Sequence, residues 1–101
     1  AYGHQRRLEI ARCMVTQPRV LLLDEPAAGL NPQEKKDLQG LIEQLRNQYG
    51  LAVLLIEHDM SLVMGVSERI LVMEPGRPIA LGTPEAIRSD ERVIKAYLGE
   101  E

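Results

Sequence analysis

Val20-Leu21-Leu22-Leu23-Asp24-Glu25-Pro26 is the stretch whose reading decides the fold. A run of β-branched and leucine residues without polar interruption suits a strand buried on both faces, as parallel strands of α/β proteins are. Pro26 has no N–H to donate and ends the pairing. Asp24 and Glu25 therefore leave the sheet together at a strand's carboxyl end, the edge where open α/β sheets bind ligands. A strand-end aspartate there suits Mg²⁺, and an adjacent glutamate suits a water poised against a phosphoryl group. Taken alone, the pair reads better as two solvated acids before a turn.

The residues on either side decide between these readings. Downstream, Ala27-Ala28-Gly29-Leu30 forms a short loop before Asn31-Pro32-Gln33-Glu34. Asn as N-cap, Pro at the first helical position and Glu at the third start a helix. Leu38, Leu41, Ile42 and Leu45 supply the i, i+3, i+4, i+7 stripe of a helix packed on a sheet, and Gly50 closes it. A second apolar strand, Ala52 to Ile56, again ends in polar residues, Glu57-His58-Asp59. A strand–helix–strand unit makes the two strands parallel, so Asp24, Glu25 and His58 are expected at one sheet edge.

Upstream, Ala1-Tyr2-Gly3-His4-Gln5-Arg6-Arg7 reads as a glycine turn opening a helix, with Leu8, Ala11 and Val15 as its apolar face and Gln17-Pro18 as its end. The N–H groups around Gly3 are candidate anion donors. Past the second strand, Met60 to Val66 reads as a short helix and Arg69 to Met73 as a third strand. Glu74-Pro75-Gly76-Arg77 is a turn, and Pro78 to Leu81 is the returning arm of a hairpin. Thr83-Pro84-Glu85 caps a further helix, and Glu91 to Leu98 forms the last, with Val93, Ile94, Tyr97 and Leu98 on one side.

Composition narrows the function classes. The chain has 101 residues, 45% hydrophobic and 27% charged, which is the balance of one small folded domain. Phe and Trp are absent, so the core is aliphatic and no aromatic platform exists for stacking bases. A net charge of −3 argues against a dedicated nucleic-acid binder. Cys13, the single cysteine, excludes an internal disulfide and a cysteine metal cluster, and its place in a helical pattern suggests a small buried hydrophobe. No apolar run approaches the roughly 20 residues of a membrane-spanning helix. With no signal-peptide pattern either, a cytosolic location is expected.

These motifs together resemble the nucleotide-binding domain of ABC transporters over essentially the whole chain. Val20 to Glu25 is similar to the Walker B strand with its glutamate, and Ala27-Ala28-Gly29-Leu30-Asn31 to the D-loop. His58 resembles the switch histidine, and Tyr2 to Arg12 the signature motif running into its helix. The wording Asp24 to Pro32, the Ile56 to Met60 segment and the ending Val93 to Gly99 are similar to branched-chain amino acid importers. The resemblance implies the C-terminal portion of a P-loop NTPase-like α/β domain over residues 1–101, with mostly parallel strands, flanking helices and a C-terminal hairpin plus helices. It implies ATP and Mg²⁺ as ligands, with Asp24 at the metal and Glu25 and His58 catalytic. Tyr2, Gly3, His4, Gln5 and Asn31 would contact nucleotide held by a second subunit, in a head-to-tail homo- or heterodimer. Transmembrane permease subunits would be the other partners, placing the protein on the cytoplasmic face of the membrane, and no nucleic acid is expected.

Two departures stand out. The signature is usually L-S-G-G-Q, whereas Ala1 stands at the serine and His4 at the glutamine. Ala1 has no hydroxyl to offer a phosphate. No G-x-x-x-x-G-K-[ST] occurs, and Lys35, Lys36 and Lys95 lie outside any glycine-rich loop. The chain alone is therefore expected to be inactive, with ATPase activity in a longer protein. Two other readings stand beside this one. An ABC-type ATPase acting on nucleic acid or ribosomes would be expected to carry basic surface, and a non-catalytic interaction module needs no phosphate loop.

Overall fold

Two strand pairs, each backed by helices, make up the computed structural model, which describes residues 2–98 and the side chains of 3–97. Ala1 and Gly99, quoted above for the resemblance, and the side chains of Tyr2 and Leu98 lie outside the described residues. Helix α1 runs Tyr2–Met14, β1 Val20–Asp24, α2 Pro32–Tyr49, β2 Ala52–Ile56 and α3 Met60–Val66. Then follow β3 Ile70–Glu74, β4 Arg77–Gly82, α4 Pro84–Arg88 and α5 Glu91–Val93, which continues as a π-helical turn over Ile94–Leu98.

β1 and β2 are parallel, with Val20 opposite Ala52 and Asp24 opposite Ile56. The register puts both carboxyl ends level. β3 and β4 form an antiparallel hairpin turning at Pro75-Gly76, where Gly76 takes φ 77°. Among the described residues the strands thus divide evenly between one parallel and one antiparallel pair.

The helix between the parallel strands forms where its caps place it. Asn31 accepts from the Glu34 N–H, Glu34 returns a bond to the Asn31 N–H, and Gly50 closes the far end at φ 66°. Leu38, Ile42 and Leu45 are its buried residues. They join Ile10, Leu21, Leu30, Leu51, Leu62 and Val66 in the larger core, under one face of β1 and β2. A second core of Val63, Ile70, Val72, Ile87 and Val93 lies between α3, the hairpin and the last helices. α3 faces both cores, which ties the hairpin to the parallel pair. The Tyr97 hydroxyl donates to the Met73 carbonyl and pins the final turn to β3.

Four expectations change. β1 and β2 are buried on one face only: Val20, Leu22, Leu54 and Ile56 are 56–69% exposed. The described helices cover a single face of the sheet, so the alternate residues have no layer over them. In α1 the buried side is Ile10 with Met14 packed beside it, while Leu8, Ala11 and Val15 are exposed. The helix already includes Gly3, so no glycine turn precedes it. Cys13 is exposed, because the stripe through Ile10 and Met14 turns it aside.

Candidate functional site

At the carboxyl ends of β1 and β2 the chain leaves the sheet in two loops, held together by the Glu25 N–H donating to the Ile56 carbonyl at 2.7 Å. Glu25 sits at φ 48°, a left-handed conformation that costs a non-glycine residue on the order of 1 kcal/mol. The buried Pro26 follows, and Ala28 N–H returns to the Glu25 carbonyl at 3.2 Å. This turn lifts the Glu25 side chain out of the strand's alternation and toward the neighbouring loop.

There it meets His58. Nδ1 of His58 is 3.0 Å from Oε1 of Glu25, with the two side chains 74% and 51% exposed. This is an ion-pair distance without hydrogen-bond geometry, and the pair attracts when the ring carries its charge. Oε2 of Glu25 stays available to a water. Asp24 is the exposed last residue of β1. Among the described residues its carboxylate has no hydrogen-bond or ion-pair partner. No group of three or more His, Cys, Asp or Glu able to hold a metal occurs among the described residues. A lone exposed carboxylate nonetheless fits Mg²⁺, which takes one or two carboxylates and completes its shell with water and substrate phosphates.

The loop carrying His58 rests on Glu57 and Asp59. The Glu57 carboxylate, 1% exposed, accepts from the N–H groups of Ala27 at 2.9 Å, His58 at 3.0 Å and Asp59 at 3.3 Å. Asp59 caps α3 through the Leu62 N–H and pairs with Lys35 of α2 at 2.8 Å. The Lys35 hydrogen bond, seconded by the Leu62 N–H, holds the Asp59 carboxyl below the ordinary aspartate value. Sequence reasoning passed over Glu57. A signal was available: exposure alternates along 52–57, so the period of β2 carries on to Glu57 and turns it inward.

The signature-like residues lie apart from this pair. His4 and Gln5 are exposed on the first turns of α1, and among the described residues nothing joins them to Asp24, Glu25 or His58. Gly3 donates its N–H to Oε2 of Glu34 at 3.2 Å, so this anion donor is engaged by the chain's own carboxylate. A Cβ at Gly3 would come within 2.8 Å of that same oxygen. Asn31 spends its side chain on the α2 cap. Arg6 reaches the Ala28 carbonyl at 3.5 Å and Glu9 at 3.3 Å.

Known proteins share much of this sequence and its fold. A family model described as ABC transporter matches residues 1–28, and one described as branched-chain amino acid ATP-binding cassette transporter matches residues 77–101. The high-affinity branched-chain amino acid transport ATP-binding protein LivG of Escherichia coli K12 is 67% identical over 100 residues, covering 99% of this chain and 39% of its own length. The corresponding protein BraF of Pseudomonas aeruginosa is 65% identical over 100 residues, with the same coverage of 99% and 39%. The chain thus spans 39% of the length of these curated relatives. A solved nucleotide-free ATP-binding cassette from an ABC transporter superposes with a TM-score of 0.85 at 30% identity, covering 99% of this chain and 41% of its own. Strand-end acids, a facing histidine and a fold shared over nearly every residue lead to one conclusion: the chain belongs to the ABC transporter family of ATP-binding proteins.

Proposed function

We propose that the full-length protein carrying this chain hydrolyses ATP to energise an importer of branched-chain amino acids. The observation that carries the chemistry is the Glu25–His58 pair, 3.0 Å apart beside Asp24 at one sheet edge. The substrate class rests on the 67% identity to LivG, whose name states that transport. Glu25 polarises the attacking water, and the nearby His58 ring steers that carboxylate. The His58 ring, when protonated, donates from Nε2 to a phosphoryl oxygen while its Nδ1 side stays near Glu25. Asp24 would hold Mg²⁺, which supplies charge neutralisation on the phosphates when bound. Catalysis of this kind is positioning plus electrostatics.

On the same reading a second ATP-binding subunit docks head to tail and presents Gly3, His4 and Gln5 to nucleotide held opposite. Glu34 must then release the Gly3 N–H. Permease subunits bind the substrate and hold the protein at the cytoplasmic face of the membrane. Among the described residues no helix is long and apolar enough to cross a membrane, so the attachment is peripheral on this reading.

The test is uptake. Full-length protein, reconstituted in vesicles with its permease, is expected to accumulate radiolabelled leucine, isoleucine or valine only when ATP is enclosed with it. ATP hydrolysis with no accumulation of any of the three would remove the substrate assignment and keep the ATPase.

A further inference from the structure

We propose that Glu57 is a positioning residue that sets the Glu25–His58 geometry by clamping the two strand-exit loops to each other; this rests on the ATPase reading above. Its carboxylate is 1% exposed, in contrast to the half- and three-quarter-exposed side chains of Glu25 and His58. Oε2 accepts from the Ala27 N–H of the first loop, and Oε1 from the His58 and Asp59 N–H groups of the second. One side chain thus bridges backbone on both sides of the reacting pair, two residues beyond Glu25 and next to His58 itself.

Only an acceptor with two oxygens satisfies this arrangement. Three donors converge on one buried group, and charge-assisted bonds from backbone N–H groups offset the desolvation of the carboxylate. A glutamine of the same shape turns an NH₂ against a backbone N–H and leaves a donor unanswered. Alanine frees all three N–H groups at once. The ties left between the loops are the Glu25 N–H to Ile56 carbonyl bond and the exposed Glu25–His58 pair itself, and neither engages the Ala27 or His58 backbone N–H. Without the clamp the His58 backbone is free to shift, and a misplacement of about 1 Å at a reacting group costs on the order of 10²-fold in rate. Glu57 also lies 3.9 Å from His58 Nδ1, so the clamp brings its negative charge close to the ring it positions.

The test uses full-length protein, Glu57→Ala and Glu57→Gln, with steady-state ATP hydrolysis, calorimetric ATP binding and amide hydrogen exchange at Ala27, His58 and Asp59. Glu57→Ala is expected to lower kcat by about 10²-fold with ATP affinity within about threefold, and Glu57→Gln by about tenfold. The amides are expected to be protected in the unsubstituted protein and to exchange faster in both variants. A lowered Tm with kcat within twofold would make Glu57 a stabilising residue only and overturn the proposal. If Glu57→Ala does not fold, Glu57→Gln decides on the same terms. If neither folds, exchange in the unsubstituted protein decides, and unprotected Ala27 and His58 amides overturn the clamp. Absence of hydrolysis by the unsubstituted protein overturns the ATPase reading instead, and the clamp is then judged on exchange alone.

Discussion

His58 Nδ1 and Glu25 Oε1 meet at 3.0 Å although the whole of α2 and β2 separates them in sequence. Parallel pairing with Asp24 opposite Ile56 brings the two loops out level, and the left-handed turn at Glu25 aims its side chain across the gap.

Glu25→Gln in the full-length protein keeps the side-chain shape and removes its basicity. ATP binding should persist while hydrolysis falls on the order of 10²-fold or more, the usual scale for losing a general base. Turnover within a few-fold of the unsubstituted protein would return Glu25 to a solvated acid.

His58→Ala should nearly abolish hydrolysis and leave the melting temperature nearly unchanged. The side chain is 74% exposed, so the core loses little with it. A large fall in Tm together with retained turnover would be the opposite result, and would assign His58 to stability.

The chain has no glycine-rich phosphate loop, and on the proposed reading its phosphate-facing residues are Glu25, His58 and Asp24. The isolated 101 residues should therefore bind ATP·Mg²⁺ weakly and turn none over. Calorimetry giving micromolar affinity would contradict this.

Asp59 supplies a pH-dependent contribution with a definite sign. Its folded carboxyl titrates below the ordinary value of 3.8, chiefly through Lys35, so the ion pair stabilises the fold when Asp59 is ionised. That contribution is complete above the unfolded pKa and is lost as pH falls through the folded one. Asp59→Asn keeps an N-cap side chain and loses the charge. Its Tm should lie below that of the unsubstituted protein at pH 7, and the gap should close below the ordinary carboxyl value. A gap that stays constant down to acid pH would exclude the ion pair as its source.

Glu34 serves two backbones, the Asn31 N–H at 2.9 Å and the Gly3 N–H at 3.2 Å. Glu34→Ala should destabilise by about 1–2 kcal/mol, a capping-box partner with one added tie. Denaturant unfolding reads this directly, and a change below about 0.3 kcal/mol would mean solvent replaces both bonds.

Local chemistry was legible without a structure. The caps at Asn31, Thr83 and Gly50 act on N–H and C=O groups within one helical turn, so their spacing along the chain suffices to place helix ends. Asp59 had been read only as the polar close of a strand, and its capping role emerged with the fold. The apolar strands ending in acids, and their parallel pairing, followed from the strand–helix–strand order.

What a short amphipathic pattern leaves open is its rotation. Leu8, Ala11 and Val15 describe as good a stripe as Ile10 and Met14, and only the position of α2 and β1 selects the second. For the same reason Cys13 faces solvent, and β1 and β2 are apolar on a face that no described residue covers. Strand composition made Asp24, Glu25 and His58 candidates because polar residues follow apolar runs directly. It did not single out Glu57, whose three donors come from two loops that meet only when the sheet is formed. The sequence by itself determined which residues are candidates for the chemistry; the tertiary structure decided which carboxylate faces the histidine and which one lies buried beneath it holding the loops, because both depend on through-space distances that no spacing along the chain encodes.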